Sequence, residues 1–227
     1  MIVFVPIKEE SQRVPNKNFR MFDGEPLYKR CLLNLKDFTV VVDTDSEKIL
    51  ANIAEDPRLS HVTGFLRPVD LRGHEVPVNE IMQGFFSSRP GFYNEDVCQV
   101  HVTSPFLSIT SLKGAQKFLE TGKHDSVVSC FYKQTRLWRK EKYGSCPINH
   151  NPLRLEQTQD LPVYFEENSL FYMFRCADFL RTGSRIGQNP FWFATGPIES
   201  LDIDTEADWN HCVDILEFLK LKETRDV

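Results

Sequence analysis

Four cations stand close together near the start of this chain: Lys8, Arg13, Lys17 and Arg20, in the segment VPIKEESQRVPNKNFR, which overlaps the apolar run MIVFVP. On a loop restricted by Pro15 they could jointly neutralise a triphosphate, with Asn18 adding a side-chain amide. The alternative is a solvated face on which Glu9 and Glu10 pair with some of the cations. Far along the chain, ESLDID places Asp202 and Asp204 on either side of Ile203. Side chains alternate along a strand, so both carboxylates share one face. Two carboxylates held together need a cation. Magnesium suits them, because it is held by one or two carboxylates plus substrate phosphates. Capping of the following helix by Asp204 or Thr205 is the structural alternative. A cationic loop and a carboxylate pair at the ends of a sheet are what metal-assisted transfer from a nucleoside triphosphate requires.

A frame of alternating strands and helices must position these groups. Apolar runs predict strands at 1–6, 38–43, 61–66, 96–102, 125–132, 163–174 and 199–204. Between them, helical spacing links Leu27, Cys31 and Leu35, then Ile49, Leu50 and Ile53, then the segment 78–86, then Leu112, Ala115, Phe118 and Leu119. Thr44 with Glu47 has capping-box spacing, as does Thr205 with Asp208 ahead of a last helix carrying Trp209, Cys212, Val213, Leu216 and Leu219. This order predicts an α/β fold with a mainly parallel sheet. In such sheets ligands sit beyond the carboxyl ends of the strands, where the cationic loop lies. The Walker pattern and the G-x-G-x-x-G fingerprint are both absent. Residues 133–160 differ in kind: polar, rich in Arg, Lys and Gln, and interrupted by Pro147 and Pro152, they read as an excursion from the sheet.

The formal net charge of −5 argues against a dedicated nucleic-acid binder, so any anion site is local. Six cysteines without a C-x-x-C pair fit a reducing compartment. No segment approaches the roughly 18 apolar residues of a membrane span, and the expectation is a soluble, cytoplasmic protein. His101, before a T-S-P turn, could donate to a sugar hydroxyl or be an ordinary strand-end histidine. Arg154 could clamp an acceptor carboxylate or simply face water. Phe191, Trp192 and Phe193 could wall a pocket, pack a dimer interface or join the core.

Taken in order, these segments resemble the acylneuraminate cytidylyltransferases, the CMP-sialic acid synthetase family. VPIKEESQRVPNKN resembles I-P-A-R-x-x-S-K-x-I-P-x-K-N, and RPVDL an R-P-x-x-L turn. VHVTSPFL is similar to Q-P-T-S-P-L, TQDLP to Q-D-L-P, EENSLFYMF to P-N-G-x-x-Y, and DIDTEAD to D-I-D-T-x-x-D. The resemblance implies one cytidylyltransferase domain over 1–227, of the three-layer nucleotide-diphospho-sugar transferase-like fold, with 133–160 as a dimerisation and sugar-site excursion. It assigns Lys8, Arg13, Lys17, Asn18, Arg67, Thr103 and Ser104 to the nucleotide, and His101, Arg154 and Asn168 to the sugar. Lys8, Lys17, Asp202 and Asp204 become catalytic, with both aspartates on Mg²⁺. The implied reaction joins CTP to an acidic nonulosonic sugar in a homodimer, giving a CMP-sugar and pyrophosphate.

Departures bear on the site. Lys8 stands where the family has Arg, Glu9 and Glu10 replace small residues, His101 replaces Gln, Leu107 replaces Arg and Ser169 replaces Gly. Two rival readings follow: a 3-deoxy-octulosonate cytidylyltransferase, disfavoured by the T-S-P turn, and a catalytically weakened homologue that binds CTP or a sugar.

Overall fold

The structure is a computed structural model that describes residues 1–224. Alternation along the first strand, β1 (Ile2–Ile7), sets the architecture: Val3, Val5 and Ile7 enter one core cluster, and Ile2 and Phe4 enter another. A strand apolar on both faces must be covered on both. The chain then runs through β2 (Met21–Phe22), β3 (Glu25–Pro26), α1 (Leu27–Asn34), β4 (Thr39–Thr44), α2 (Glu47–Glu55), β5 (Val62–Leu66), α3 (Val78–Ser87) and β6 (Asp96–Val100). It continues with α4 (Ile109–Glu120), β7 (Ser126–Lys133), β8 (Trp138–Lys140), β9 (Ser145–Pro147), β10 (Tyr164–Arg175), α5 (Cys176–Thr182), β11 (Pro190–Ala194) and α6 (Glu206–Glu223).

Seven strands form the main sheet in the order β11-β7-β10-β6-β1-β4-β5. Only β10 runs antiparallel to its neighbours β6 and β7; the other adjacent pairs are parallel. Leu32 of α1, Ile49 of α2, Ala115 of α4 and Trp209 of α6 pack in the cluster that holds Val3 and Val5. Met82, Phe85 and Phe86 of α3 and Phe179 of α5 pack with Phe4. This is a three-layer α/β arrangement. The Phe4 ring lies 5.1 Å from Phe85 and 5.2 Å from Phe86. Burying each such side chain contributes about 1.5–3 kcal/mol.

The structure corrects four expectations. Among the described residues, 199–204 join no ladder: Glu199 and Ser200 close a turn, 201–204 follow without regular structure, and the Ile203 N–H donates to the Thr103 carbonyl at 2.9 Å. β6 ends at Val100, which frees His101 and Thr103 to form a turn. The aromatics 191–193 lie on β11, an edge strand not foreseen, and from it they pack against both core clusters, as the core reading had it. The cap of α2 is Ser46, whose Oγ accepts from the Ile49 N–H at 3.3 Å, while Thr44 Oγ1 instead accepts from the Ser46 N–H. Within 133–160, the hairpin of β8 and β9 stands apart from the main sheet.

Candidate active site

The cationic loop is folded from inside. Val14 has no exposed area and anchors the loop in the core. Asn16 adopts φ 53°, a left-handed conformation that asparagine tolerates, and its carbonyl accepts the N–H groups of Phe19 and Arg20. The resulting turn buries Lys17 and Asn18, each 7% exposed. Asn18 Nδ2 donates to the Lys8 carbonyl at 2.6 Å, so its amide braces the loop. Lys17 Nζ donates to the Ile203 carbonyl at 2.5 Å. Burial lowers the Lys17 pKa, while Asp202 and Asp204 oppose the shift.

The other cations divide. Arg13 pairs with Asp204 at 2.6 Å. Lys8 Nζ donates to the carbonyl of Gly73 at 2.7 Å, tying the loop to the segment after β5. Arg20 takes both carboxylate oxygens of Glu206 at 2.7 Å and stacks 4.0 Å over Trp209, so it holds the start of α6 and does not join the other three.

On the acidic side, Thr205 and Asp208 close a capping box on α6, so Asp204 is not the cap and keeps its carboxylate for Arg13. Asp202 Oδ1 is buried without a hydrogen-bond partner among the described residues. Burial raises the Asp202 pKa; Asp204 adds to this, while Thr103 and Lys17 oppose it. An orphaned carboxylate oxygen beside a second carboxylate is a donor set that fits a hard cation. No group of three or more His, Cys, Asp or Glu capable of holding a metal occurs among the described residues. The remaining ligands would have to be phosphate and water, as magnesium sites on substrates use them.

A cleft of about 340 Å³ opens beyond the carboxyl ends of β1 and β6. Lys8, Arg13, Lys17 and Arg67 give it a cationic wall, Val76, Val78 and Ile81 an apolar one, and His101 and Thr103 line it too. A polyanion and a flat base would find complementary surfaces there. Arg67 is fully buried: it ion-pairs with Asp43 and donates through Nη2 to the carbonyls of Asp43 (2.8 Å) and Ile7 (3.2 Å). Its Nη1 has no partner among the described residues. Ser104 is buried in the turn. Glu10 lines the cleft, whereas the Glu9 N–H is held by Asp45 at 2.7 Å and its side chain is exposed.

Over residues 2–227 the sequence matches the family described as cytidylyltransferase. The chain belongs to that family. It is 27% identical over 224 residues to the CMP-N,N'-diacetyllegionaminic acid synthase of Legionella pneumophila, a match covering 92% of this chain and 93% of that protein. It is 23% identical over 230 residues to the N-acylneuraminate cytidylyltransferase of Streptococcus agalactiae, covering 96% of this chain and 53% of that protein. The solved structure of CMP:2-keto-3-deoxy-manno-octonic acid synthetase complexed with CTP shares the fold, with a TM-score of 0.63, 14% identity and 98% of each chain covered.

Two of the residues assigned to the sugar lie outside this cytidylyltransferase's cleft. Asn168 Nδ2 donates to the hydroxyls of Thr195 (2.7 Å) and Ser200 (3.0 Å), bracing the approach to the aspartates. Arg154 is exposed on the excursion. Sequence reasoning missed Asp43, Gln99 and Arg185. A signal existed for the first two: each is a polar residue inside an apolar strand run, and such a residue needs a buried partner.

Proposed function

We propose that this cytidylyltransferase transfers CMP from CTP to an acidic nonulosonic sugar and releases pyrophosphate. The observation that carries the reading is the junction at Lys17, which brings the cationic loop and the Asp202–Asp204 segment to one place. The names of the Legionella and Streptococcus relatives support the class of acceptor. The sugar's anomeric hydroxyl oxygen attacks the α-phosphorus, the bond to the bridging oxygen of the β-phosphate breaks, and the hydroxyl proton leaves to solvent.

The protein positions the reactants and stabilises charge. Lys17 holds the triphosphate, and Arg13 and Lys8 join it once they release the Asp204 carboxylate and the Gly73 carbonyl, which also frees Asp204 for the metal. Asp202 and Asp204 would hold Mg²⁺, which when bound neutralises charge on the phosphates. Thr103 fixes Ile203, and through it the spacing of the two carboxylates. The apolar wall of Val76, Val78 and Ile81 shields the base from water.

The acceptor site is completed by a second subunit in this reading. Leu153 is 96% exposed, Leu155 and Tyr143 each 87%, and Trp138 50%, all on the excursion. Exposed apolar side chains gathered on one polar segment are what a partner surface would cover, and a two-fold dimer would carry Arg154 to the neighbour's cleft. The single domain over 1–227 and a reducing, cytoplasmic setting belong to the same reading. The free cysteines support the setting, and no helix among the described residues is long and apolar enough to cross a membrane.

A second reading, a weakened homologue that binds CTP without turnover, is favoured by the engagement of Lys8 with Gly73 and by Glu10 in the cleft. Pyrophosphate release from CTP, dependent on an acidic sugar and magnesium, separates the two. Saturable CTP binding with no release across a panel of acidic sugars would favour the second.

A further inference from the structure

A chain of donors runs behind the cleft and ends on His101. Gln99, on β6, has no exposed area, and its amide meets two partners. Arg185 Nη1 donates to its Oε1, and its Nε2 lies 2.8 Å from Nε2 of His101. Arg185 comes from the segment between α5 and β11, and its guanidinium carbon sits 3.9 Å over the ring of Tyr172. The Tyr172 hydroxyl is in turn held by Glu167 and lies 3.1 Å from Ser169 Oγ.

A guanidinium has donors only. The Gln99 atom that meets it is therefore the carbonyl oxygen, and the usual ambiguity of an amide flip is removed. The Gln99 NH₂ group must then face His101, whose Nε2 must accept. A ring nitrogen that accepts carries no proton, so the proton of the neutral imidazole sits on Nδ1. His101 Nδ1 has no hydrogen-bond partner among the described residues, and the residue lines the cleft.

We propose that Arg185, acting through Gln99, is a positioning residue that locks His101 as the Nδ1–H tautomer and so presents one N–H donor to an oxygen of the acceptor substrate. Burial lowers the His101 pKa to about 4, Arg185 and Lys17 add to this and Asp204 opposes it, which keeps the ring neutral. A fixed donor in a cleft selects acceptors that offer an oxygen there and rejects analogues that leave it unpaired. The nature of the acceptor rests on the proposed function; the tautomer does not.

The test is long-range ¹H–¹⁵N NMR of the histidine rings in the full-length, ligand-free protein at neutral pH, with His101→Gln assigning the signals. The expected wild-type spectrum has His101 Nε2 unprotonated and Nδ1 protonated. Gln99→Glu replaces the donor with a carboxylate that accepts from both Arg185 and the ring, so the ring proton moves to Nε2. In that variant KM for the acid acceptor rises about tenfold, the equivalent of one net hydrogen bond, while KM for CTP is unchanged. Arg185→Met frees the Gln99 amide to rotate and gives both tautomers, which keeps the test intact should Gln99→Glu fail to fold. A merely structural pair would lower the melting temperature and leave the tautomer alone. A wild-type ring protonated on Nε2, or an Arg185→Met protein with the wild-type tautomer, overturns the inference. The predicted tautomer with no turnover of any acidic sugar supports the positioning chain and refutes the proposed function instead.

Discussion

Lys17 and Ile203 meet across 186 positions of sequence, with the lysine ammonium 2.5 Å from the main-chain oxygen that stands between two aspartates. One residue thus belongs to both halves of the site. Lys17 draws the acidic segment onto the loop and leaves a cation among carboxylates, where a triphosphate and its counter-ion would complete the charge balance.

Replacing Lys17 by Met keeps the aliphatic stem and removes the donor. We predict that kcat/KM for CTP falls about 10²–10³-fold, as for loss of a preorganised donor to developing charge. The unpaired Ile203 carbonyl costs about 1–3 kcal/mol of stability. Steady-state kinetics and thermal melting read the two effects separately, and an unchanged kcat/KM would take Lys17 out of the chemistry.

Arg67 should behave differently. It is fully buried against Asp43, so Arg67→Met leaves a buried, unpaired carboxylate and is expected to cost about 3–5 kcal/mol. Arg67→Met combined with Asp43→Leu should recover a large part of that loss in urea unfolding. A single variant as stable as wild type would mean that the pair contributes nothing to the fold.

His101 sets an acid limit. Its folded pKa of about 4 lies below the ordinary value of 6.5, so below about pH 6.5 the unfolded chain binds a proton that the folded chain refuses. Stability is therefore lost as pH falls from about 6.5 towards 4, and is fully retained above that window. His101→Gln should flatten this part of the stability curve relative to wild type in denaturant titrations across that range. Parallel curves for the two proteins would contradict the account.

The strands were legible in the sequence because β1, β4, β6 and β7 are short runs rich in apolar residues that a parallel sheet buries on both sides. The segment 199–204 was misread because alternation of apolar and polar residues does not by itself make a strand, which also needs a neighbour free to pair; here Ile203 makes one bond to a turn. β11 was missed because three consecutive aromatics point to core packing, which they have, without the alternation that marks a strand. In the site, Lys8, Arg13 and Lys17 were legible as neighbours in one loop. Arg67 with Asp43, and Arg185 with Gln99, join residues 24 and 86 positions apart, and only the folded sheet brings them together.

The excursion predicts assembly. With Leu153 and Leu155 almost fully exposed, light scattering at micromolar concentration should give a dimer, whose interface would need to bury more than about 1,000 Å². Leu153→Asp with Leu155→Asp should give a monomer that binds CTP and has lost use of the acid sugar. A wild-type monomer with full activity would refute the shared site.

The transfer of CMP to an acidic sugar is tested most directly by mass spectrometry of the products formed from CTP, magnesium and nonulosonic acids labelled with ¹⁸O at the anomeric hydroxyl. The account predicts a CMP-sugar that retains the label in its bridging oxygen, together with unlabelled pyrophosphate. Label in the pyrophosphate, or no CMP-sugar from any acid in the panel while CTP still binds, would contradict it.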